Sequence, residues 1–307
     1  AGIKFDGVVH SVPALANRVI GNYFPGNFAA SAVGDPLAGP PAGVGILVAN
    51  GSSNVLIGGQ FPGEANLMLY QPVGIYVEQS SNITIAGNNL GASDAEMMLA
   101  GIVLHDSTNC TVGPNNTILN TDATMQWDAS VGVPVGGLIL VGGEKNRIIG
   151  NLVQGNNPYG IYVQDSANNQ IGEPVKNGEN TILKSLSDGI RMHGAGATGN
   201  MIQGNYIGEK LFGLGGTDGN AGAGVRIEAG ASDNTIGGSY LQKLPNGAVN
   251  VPAPNAIYDN TGDGVAVDGA STGNRITYNS ISGNHQLGIA LTNGGNNQFP
   301  QPLNVVA

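Results

Sequence analysis

The chain has 307 residues, 51 of them Gly and 36 Asn, with charged residues at 10% and hydrophobic residues at 41%. Gly stands far above its usual share of about 7% and charge far below the usual ~25%; this excludes a charge-swollen disordered chain and, because the Gly keeps no three-residue period, a collagen helix. Eleven basic against 21 acidic residues leave a net charge of -10, which excludes a phosphate-tracking nucleic-acid surface.

The first 44 residues are the least regular. IKFDGVVH from Ile3 and ANRVIGNYF from Ala16 read as a first coil, followed by a Pro-, Gly- and Ala-rich loop over 31–43. A short phrase, Gly–aliphatic–x–aliphatic, then recurs nine times: GILV at Gly45, GIYV at Gly74, GIVL at Gly101, GLIL at Gly137, GIYV at Gly160, GIRM at Gly189, GVRI at Gly224, GVAV at Gly264 and GIAL at Gly288. The starts are 29, 27, 36, 23, 29, 35, 40 and 24 residues apart. The shortest spacings give the basic repeat, and the longer ones carry insertions.

A second phrase, Asn with aliphatic residues just after it, trails the first eight, at Asn54, Asn82, Asn109, Asn146, Asn168, Asn200, Asn234 and Asn274. A third follows in several units, as in GNLVQGN from Gly150, ENTILKS from Glu179, GNYIG from Gly204 and YNSISGN from Tyr278. Each unit is therefore three short strands parted by Gly and Asn, the residues that tolerate positive φ at bends. Alternation sends the aliphatic side chains of each strand to one face. Such a unit closes a core only against copies of itself, with each strand paired in parallel to its equivalent one turn on, about 4.8 Å away. Stacked Asn side chains add a hydrogen-bonded ladder along the axis.

The expected fold is all-β, a right-handed parallel β-helix of about ten coils spanning roughly 50 Å. It forms one domain over 1–307, with 1–44 as an irregular first coil or N-terminal cap and 293–307 as a C-terminal cap. Two prolines in the closing GNNQFPQPLNVVA blunt that edge. Ile161, Ile190 and Val225 are expected in one interior column.

The phrases GNMIQGNYIG, DNTIGG, NTGDGVAVDGA and GNRITYNSISGN resemble those of bacterial right-handed parallel β-helix repeat proteins, a group of extracellular and cell-surface proteins. The resemblance is strongest from Gly160 onward and extends back to Gly45. It implies the fold and a secreted, extracellular or cell-surface location. It transfers no catalytic residues, because the shared motif is a folding motif. Ala1 follows no charged, apolar leader, a start that suits a mature secreted product or a cytosolic protein alike. No apolar stretch approaches a spanning helix, so membrane insertion is not expected.

With the aliphatic pair of each Gly phrase inward, its third and fifth residues point outward as an exposed column. In order these are Leu47 and Ala49, Tyr76 and Glu78, Val103 and His105, Ile139 and Val141, Tyr162 and Gln164, Arg191 and His193, Arg226 and Glu228, Ala266 and Asp268, Ala290 and Thr292. The polar and aromatic members gather from Tyr162 to Asp268, which makes Tyr162, Gln164, Arg191, His193, Arg226, Glu228 and Asp268 the candidate ligand-binding set. Polysaccharide lyases and hydrolases built on β-helices use such faces. Glu228 and Asp268, one rung apart, are placed to share a proton, share a cation or act as an acid/nucleophile pair. The plainer reading is that exposed strand positions tolerate polar residues and Glu228 is neutralised by Arg226 or His193, although the stacked Arg191 and Arg226 call for a nearby anion. For an enzyme, Arg226, Glu228 and Asp268 would carry the chemistry.

Other signals are weaker. Asn120-Thr121-Asp122 and His193-Gly194-Ala195-Gly196 echo short polygalacturonase words in surroundings that do not match, and the DPHE word of alginate epimerases is absent. The loop GGTDGN from Gly215 is a loose echo of calcium loops. His10, His105, His193 and His285 lack metal-ligand spacing. Cys110 stands alone, which excludes an internal disulfide framework, and reads as a small buried apolar residue. Trp127 reads as a loop anchor. Neither metal nor cofactor is expected.

The reading favoured by sequence alone is an extracellular, non-enzymatic solenoid scaffold, adhesin-like or filament-forming, able to self-associate end to end or side by side. The alternative is a polysaccharide-active lyase or hydrolase, or a glycan-binding module, using the Tyr162–Asp268 face under walls formed by the insertions at 113–134 and 208–222.

Overall fold

The computed structural model describes residues 1–9, 17–26, 43–91, 99–121, 135–208, 218–244 and 247–298. His10, Trp127, most of the loop at 31–43, much of the two proposed wall insertions, the first half of GGTDGN and both C-terminal prolines lie outside them.

Three parallel sheets run along the molecule. Sheet A has ten strands: Ile3–Asp6, Val44–Ala49, Val73–Glu78, Ala100–His105, Gly136–Val141, Tyr159–Gln164, Ile190–His193, Val225–Glu228, Val265–Asp268 and Ile289–Thr292. Sheets B and C have nine each, made from the second and third strands of the successive coils. Every strand of these sheets pairs with its equivalent one coil away, the topology of a right-handed parallel β-helix. The first coil comprises Ile3–Asp6, Asn17–Val19 and Tyr23–Phe24. An antiparallel hairpin, Ser239–Leu244 with Gly247–Pro252, leaves the stack between a sheet B and a sheet C strand.

The core consists of aliphatic columns. Sheet A supplies two, and in one of them Ile161, Ile190 and Val225 lie in direct register, fully buried. Sheets B and C supply one each, as in Ile148, Ile171, Ile202 and Ile236 and Val153, Ile182, Ile207 and Ile257. The Gly of several sheet A phrases has a steric cause. A Cβ at Gly101, Gly224 or Gly264 would lie 2.5 Å from Cγ2 of Ile118, Ile257 or Ile281, the sheet C residues across the corner. The bend is therefore filled by the neighbouring isoleucine.

The remaining corners are closed by Asn. Between sheets B and C, nine side chains form one continuous column: Asn22, Asn66, Asn88, Asn116, Asn151, Asn180, Asn205, Asn255 and Asn279. Asn180 shows the unit. Its Oδ1 accepts the backbone N–H of Asn151 and its carboxamide, both at 3.0 Å, while its Nδ2 donates to Asn205 Oδ1 at 2.9 Å and the Ile148 carbonyl at 2.7 Å. All four hydrogen-bonding directions of the carboxamide are used. Between sheets A and B a second column runs Asn146, Asn169, Asn200, Asn234 and Asn274. Buried Cys110 occupies the preceding rung and donates its backbone N–H to Asn146 Oδ1; burial pushes its thiol up to about 11. A third column, Asn220, Asn260 and Asn284, closes the corner between sheets C and A.

The Asn phrases read from the sequence mix two positions. Asn54, Asn82, Asn109 and Asn168 are left-handed bend residues, whereas Asn146, Asn200, Asn234 and Asn274 are ladder residues. Asn168-Asn169 holds both side by side.

The ladder makes a direct test possible. Asn180→Ala strands the buried Asn151 backbone N–H and takes one hydrogen-bond partner each from the Asn151 carboxamide and the Ile148 carbonyl, which keep the Val112 carbonyl and the Gly172 N–H. A stranded buried group costs about 1–3 kcal/mol and each lost hydrogen bond about 1 kcal/mol. Urea unfolding is expected to show a loss of roughly 3–5 kcal/mol, in the upper tail for point substitutions. A loss below ~1 kcal/mol would show that the corner does not need the carboxamide.

Candidate functional site

The outward residues of sheet A stand in the register that alternation assigns: Tyr162 pairs with Arg191 and Gln164 with His193, then Arg191 with Arg226 and His193 with Glu228. The column is not uniformly exposed, however. Leu47, Tyr76, Val103, Ile139 and Tyr162 are buried and, with Val44, Val73 and Ala100, form a second apolar cluster on the outer face. Alternation tells inside from outside of the coil but not whether the outside is covered.

From Tyr159 onward this face becomes a connected polar network. Asp188, with a side chain 1% exposed, lies between the two arginines, 3.5 Å from Arg191 Nη1 and 3.1 Å from Arg226 Nε; its Oδ1 also accepts the Ala223 N–H at 2.8 Å. Arg191 donates from Nε to Glu228 Oε1 at 2.9 Å and from Nη2 to the same oxygen, and from Nη1 to the Tyr159 hydroxyl at 2.7 Å. His193 Nδ1 meets Glu228 Oε1 at 3.0 Å. The rings of Tyr159 and Tyr162 stack at 5.2 Å and those of Tyr162 and His193 at 6.3 Å, with Arg191 lying 4.9 Å over Tyr159. Gln164 enters none of these contacts.

The anion required by two stacked arginines is thus intramolecular. Sequence reasoning missed both Asp188 and Tyr159, each the residue before a phrase Gly. Counting alternation back through the Gly sends them inward, but the Gly faces the sheet C corner and the bend returns the preceding residue to the outer face. Val44, Val73 and Ala100, which occupy the same position, show this by joining the outer cluster.

Burial alone would raise the Glu228 carboxyl, but hydrogen bonds from His193 and Arg191 outweigh it and hold the group below the usual carboxylate range. Asp268 is lowered too, its slight burial outweighed by hydrogen bonds from Asn293 at 2.7 Å and Thr292 at 3.0 Å. The two carboxylates turn opposite ways along the axis, Glu228 back toward Arg191 and His193, Asp268 forward to the last rung. Both are ionised, so the shared-proton arrangement is not what the geometry presents. Burial lifts the phenols of Tyr162 and Tyr159 above their ordinary value. On the same column Tyr76 Oη lies 3.0 Å from His105 Nδ1, and Glu78 lies 3.7 Å from that nitrogen. Among the described residues no group of three or more His, Cys, Asp or Glu is placed to hold a metal ion, and no helix is long and apolar enough to cross a membrane.

The family model described as "Right handed beta helix region" matches residues 73–241 and 136–301. The chain belongs to this family. No curated protein matches this β-helix in sequence. Among solved structures, the periplasmic alginate epimerase AlgG is 12% identical with a TM-score of 0.45, over 80% of this chain and 61% of that one. The DFA-IIIase from Arthrobacter chlorophenolicus A6 is 12% identical with a TM-score of 0.33, over 83% and 54%. An alginate lyase from Paenibacillus sp. str. FPU-7 is 12% identical with a TM-score of 0.30, over 96% and 99%. The β-helix thus spans less than two thirds of the epimerase and of the DFA-IIIase. These likenesses are of fold.

The Glu228 shift fixes the sign of an acid-side effect. Because its folded pKa lies below the unfolded value of about 4.3, its stabilisation is fully present above that pH and is lost as pH falls through the folded value. The melting-temperature difference between wild type and Glu228→Gln is expected to hold steady above pH ~5 and shrink below pH ~4. A difference independent of pH would contradict the ionised Glu228 network.

Proposed function

We propose that the outer face of sheet A from Tyr159 to Asp268 binds a polysaccharide, with acid–base chemistry centred on His193. This prefers the polysaccharide reading to the scaffold that the sequence alone favours. The observation that carries it is the His193–Glu228 pair. An ionised carboxylate accepts only, so the Nδ1 contact makes the imidazole its donor and leaves Nε2 as a proton acceptor. That nitrogen has no partner among the described residues, and the side chain is 39% exposed. A histidine oriented by a carboxylate and open on its other nitrogen has the arrangement a general base requires. Tyr162, stacked on the same ring, is held as the neutral phenol by burial and offers a hydrogen-bond donor rather than an acid.

A merely solvated strand face does not need this network. It withdraws two arginines and two carboxylates from water in part, which costs free energy even when the ions pair, and such clusters mark functional sites more often than chance. The pairing also bears on substrate class. A uronate carboxylate has to compete with Asp188 and Glu228 for the two arginines, whereas a neutral glycan meets donors and acceptors already presented. An extracellular or periplasmic location fits a polymeric glycan partner.

The scaffold remains the second reading, because each charge of the Arg191, Arg226, Asp188 and Glu228 set is already answered within the chain. It would make the network a staple across four rungs and leave self-association to the ends. The two readings separate in one experiment. Wild type, His193→Ala and the triple Arg226→Ala, Glu228→Ala, Asp268→Ala variant are screened against neutral and uronic polysaccharides by affinity electrophoresis, reducing ends and unsaturated product. Wild type is expected to be retarded by at least one polymer, and both variants to bind it about tenfold more weakly, the equivalent of one charge-assisted hydrogen bond. Absence of retardation and turnover in wild type, or variants that behave like it, would favour the scaffold.

A further inference from the structure

A cleft of about 450 Å³ lies away from sheet A, on the outer side of sheet C. Its shape follows from where the chain inserts residues at the corner between sheets B and C. In one coil the connection from Gln170–Ile171 to Thr181–Leu183 is enlarged by a loop that closes on itself, with the Glu173 N–H on the Gly178 carbonyl at 2.9 Å and the Gly178 N–H on the Val175 carbonyl at 2.8 Å. Two coils on, the Ser239–Pro252 hairpin leaves the same corner. The coil between turns directly from Met201–Ile202 to Tyr206–Gly208. Two insertions thus form walls and the uninserted coil is the floor.

The lining is chemically selective. Tyr206 stands on the floor and Tyr258 one rung further, Pro254 follows the hairpin, and Glu173, Lys176 and Glu179 come from the loop. Glu173 is held by Arg147 at 2.9 Å. Glu179 is different: its Oε2 is buried and has no hydrogen-bond partner among the described residues. A carboxylate oxygen is an acceptor only, and leaving one buried and unanswered is costly. The group that answers it has to bring donors. An anion is disfavoured, because among the described residues of the lining Lys176 is the sole cation beside two carboxylates, Glu173 and Glu179. The volume falls within the usual range of roughly 300–1,000 Å³ for small-molecule sites. Tyrosine and proline surfaces offer apolar contact beside the polar group, an arrangement suited to a ligand with both faces and hydroxyls.

We propose that this cleft is a second binding site, separate from the sheet A face, that takes a short neutral saccharide whose hydroxyls donate to Glu179 and whose ring packs against Tyr206 and Tyr258. The site does not depend on the reading of sheet A, since it shares no residue with that network. A cationic amine is the competing ligand, since it also brings donors to a carboxylate, but it makes no use of the tyrosine and proline walls.

The test is titration calorimetry of the full chain with cellotetraose, xylotetraose, mannotetraose and maltotetraose, and with spermidine as the cationic probe. At least one tetrasaccharide is expected to bind at millimolar concentration or better. Its affinity for the cleft should fall about tenfold in Glu179→Gln and in Tyr258→Ala, and this Glu179-dependent binding should persist when His193→Ala removes the sheet A histidine. Glu179→Gln preserves shape, so it reads the site even if Tyr258→Ala perturbs the rung. Four results would overturn the proposal: no tetrasaccharide binding, binding insensitive to Glu179→Gln, loss of binding in His193→Ala, or binding of spermidine alone. Loss in His193→Ala would place the sugar on sheet A and leave that reading standing.

Discussion

A coil of three short strands has to turn three times, and at each turn backbone groups leave the sheet hydrogen-bond pattern while remaining buried. An unanswered buried N–H or carbonyl costs as much as a lost hydrogen bond, so the corners decide whether the coil exists. The carboxamide of Asn meets this constraint because it donates and accepts in one plane, answering the rung before with Oδ1 and the rung after with Nδ2. The aliphatic columns supply the driving force, but they are interchangeable in a way that the corners are not: Ile, Val, Leu and Met all occupy core positions.

The same columns explain how the chain tolerates insertions. Successive members of the nine-residue ladder are 22 residues apart at Asn66 and Asn88 and 50 apart at Asn205 and Asn255, yet the bonds between them are alike, at 2.8 and 2.9 Å. Extra residues leave the stack between fixed corners and return to it. Loop length therefore becomes a means of shaping the surface, since closing a longer loop costs only slowly more entropy. The sheet A network and the sheet C cleft use the same frame differently. The first comes from outward strand residues at fixed register, the second from what protrudes between rungs.

Much of this was legible in the residues. Recurrence of Gly–aliphatic–x–aliphatic gave the stacking and the interior register of Ile161, Ile190 and Val225, because alternation is a strong constraint on a strand with one buried face. The outward partners Tyr162, Arg191, His193, Arg226 and Glu228 followed from the same count. Three features did not. Asp188 and Tyr159 lie across the bend at Gly, where alternation breaks for the steric reason seen at Ile118 and Ile257. The burial of Leu47, Tyr76 and Ile139 depends on packing outside the coil, which strand periodicity does not encode. The orientations of Glu228 and Asp268 depend on which neighbour each side chain meets, and Thr292 and Asn293 on the last rung drew Asp268 away.

The central claim is that side-chain carboxamides, and not backbone pairing alone, hold the coil together. Backbone-amide hydrogen exchange tests it at the residues concerned. The N–H groups of Asn151, Asn169 and Asn200 donate to the carboxamides of Asn180, Asn200 and Asn234, whereas that of Ile161 bonds within sheet A to the Gly189 carbonyl. The account requires the three corner amides to exchange as slowly as Ile161, through global unfolding only. Corner amides that exchange orders of magnitude faster, by local opening while the sheets stay protected, would contradict it.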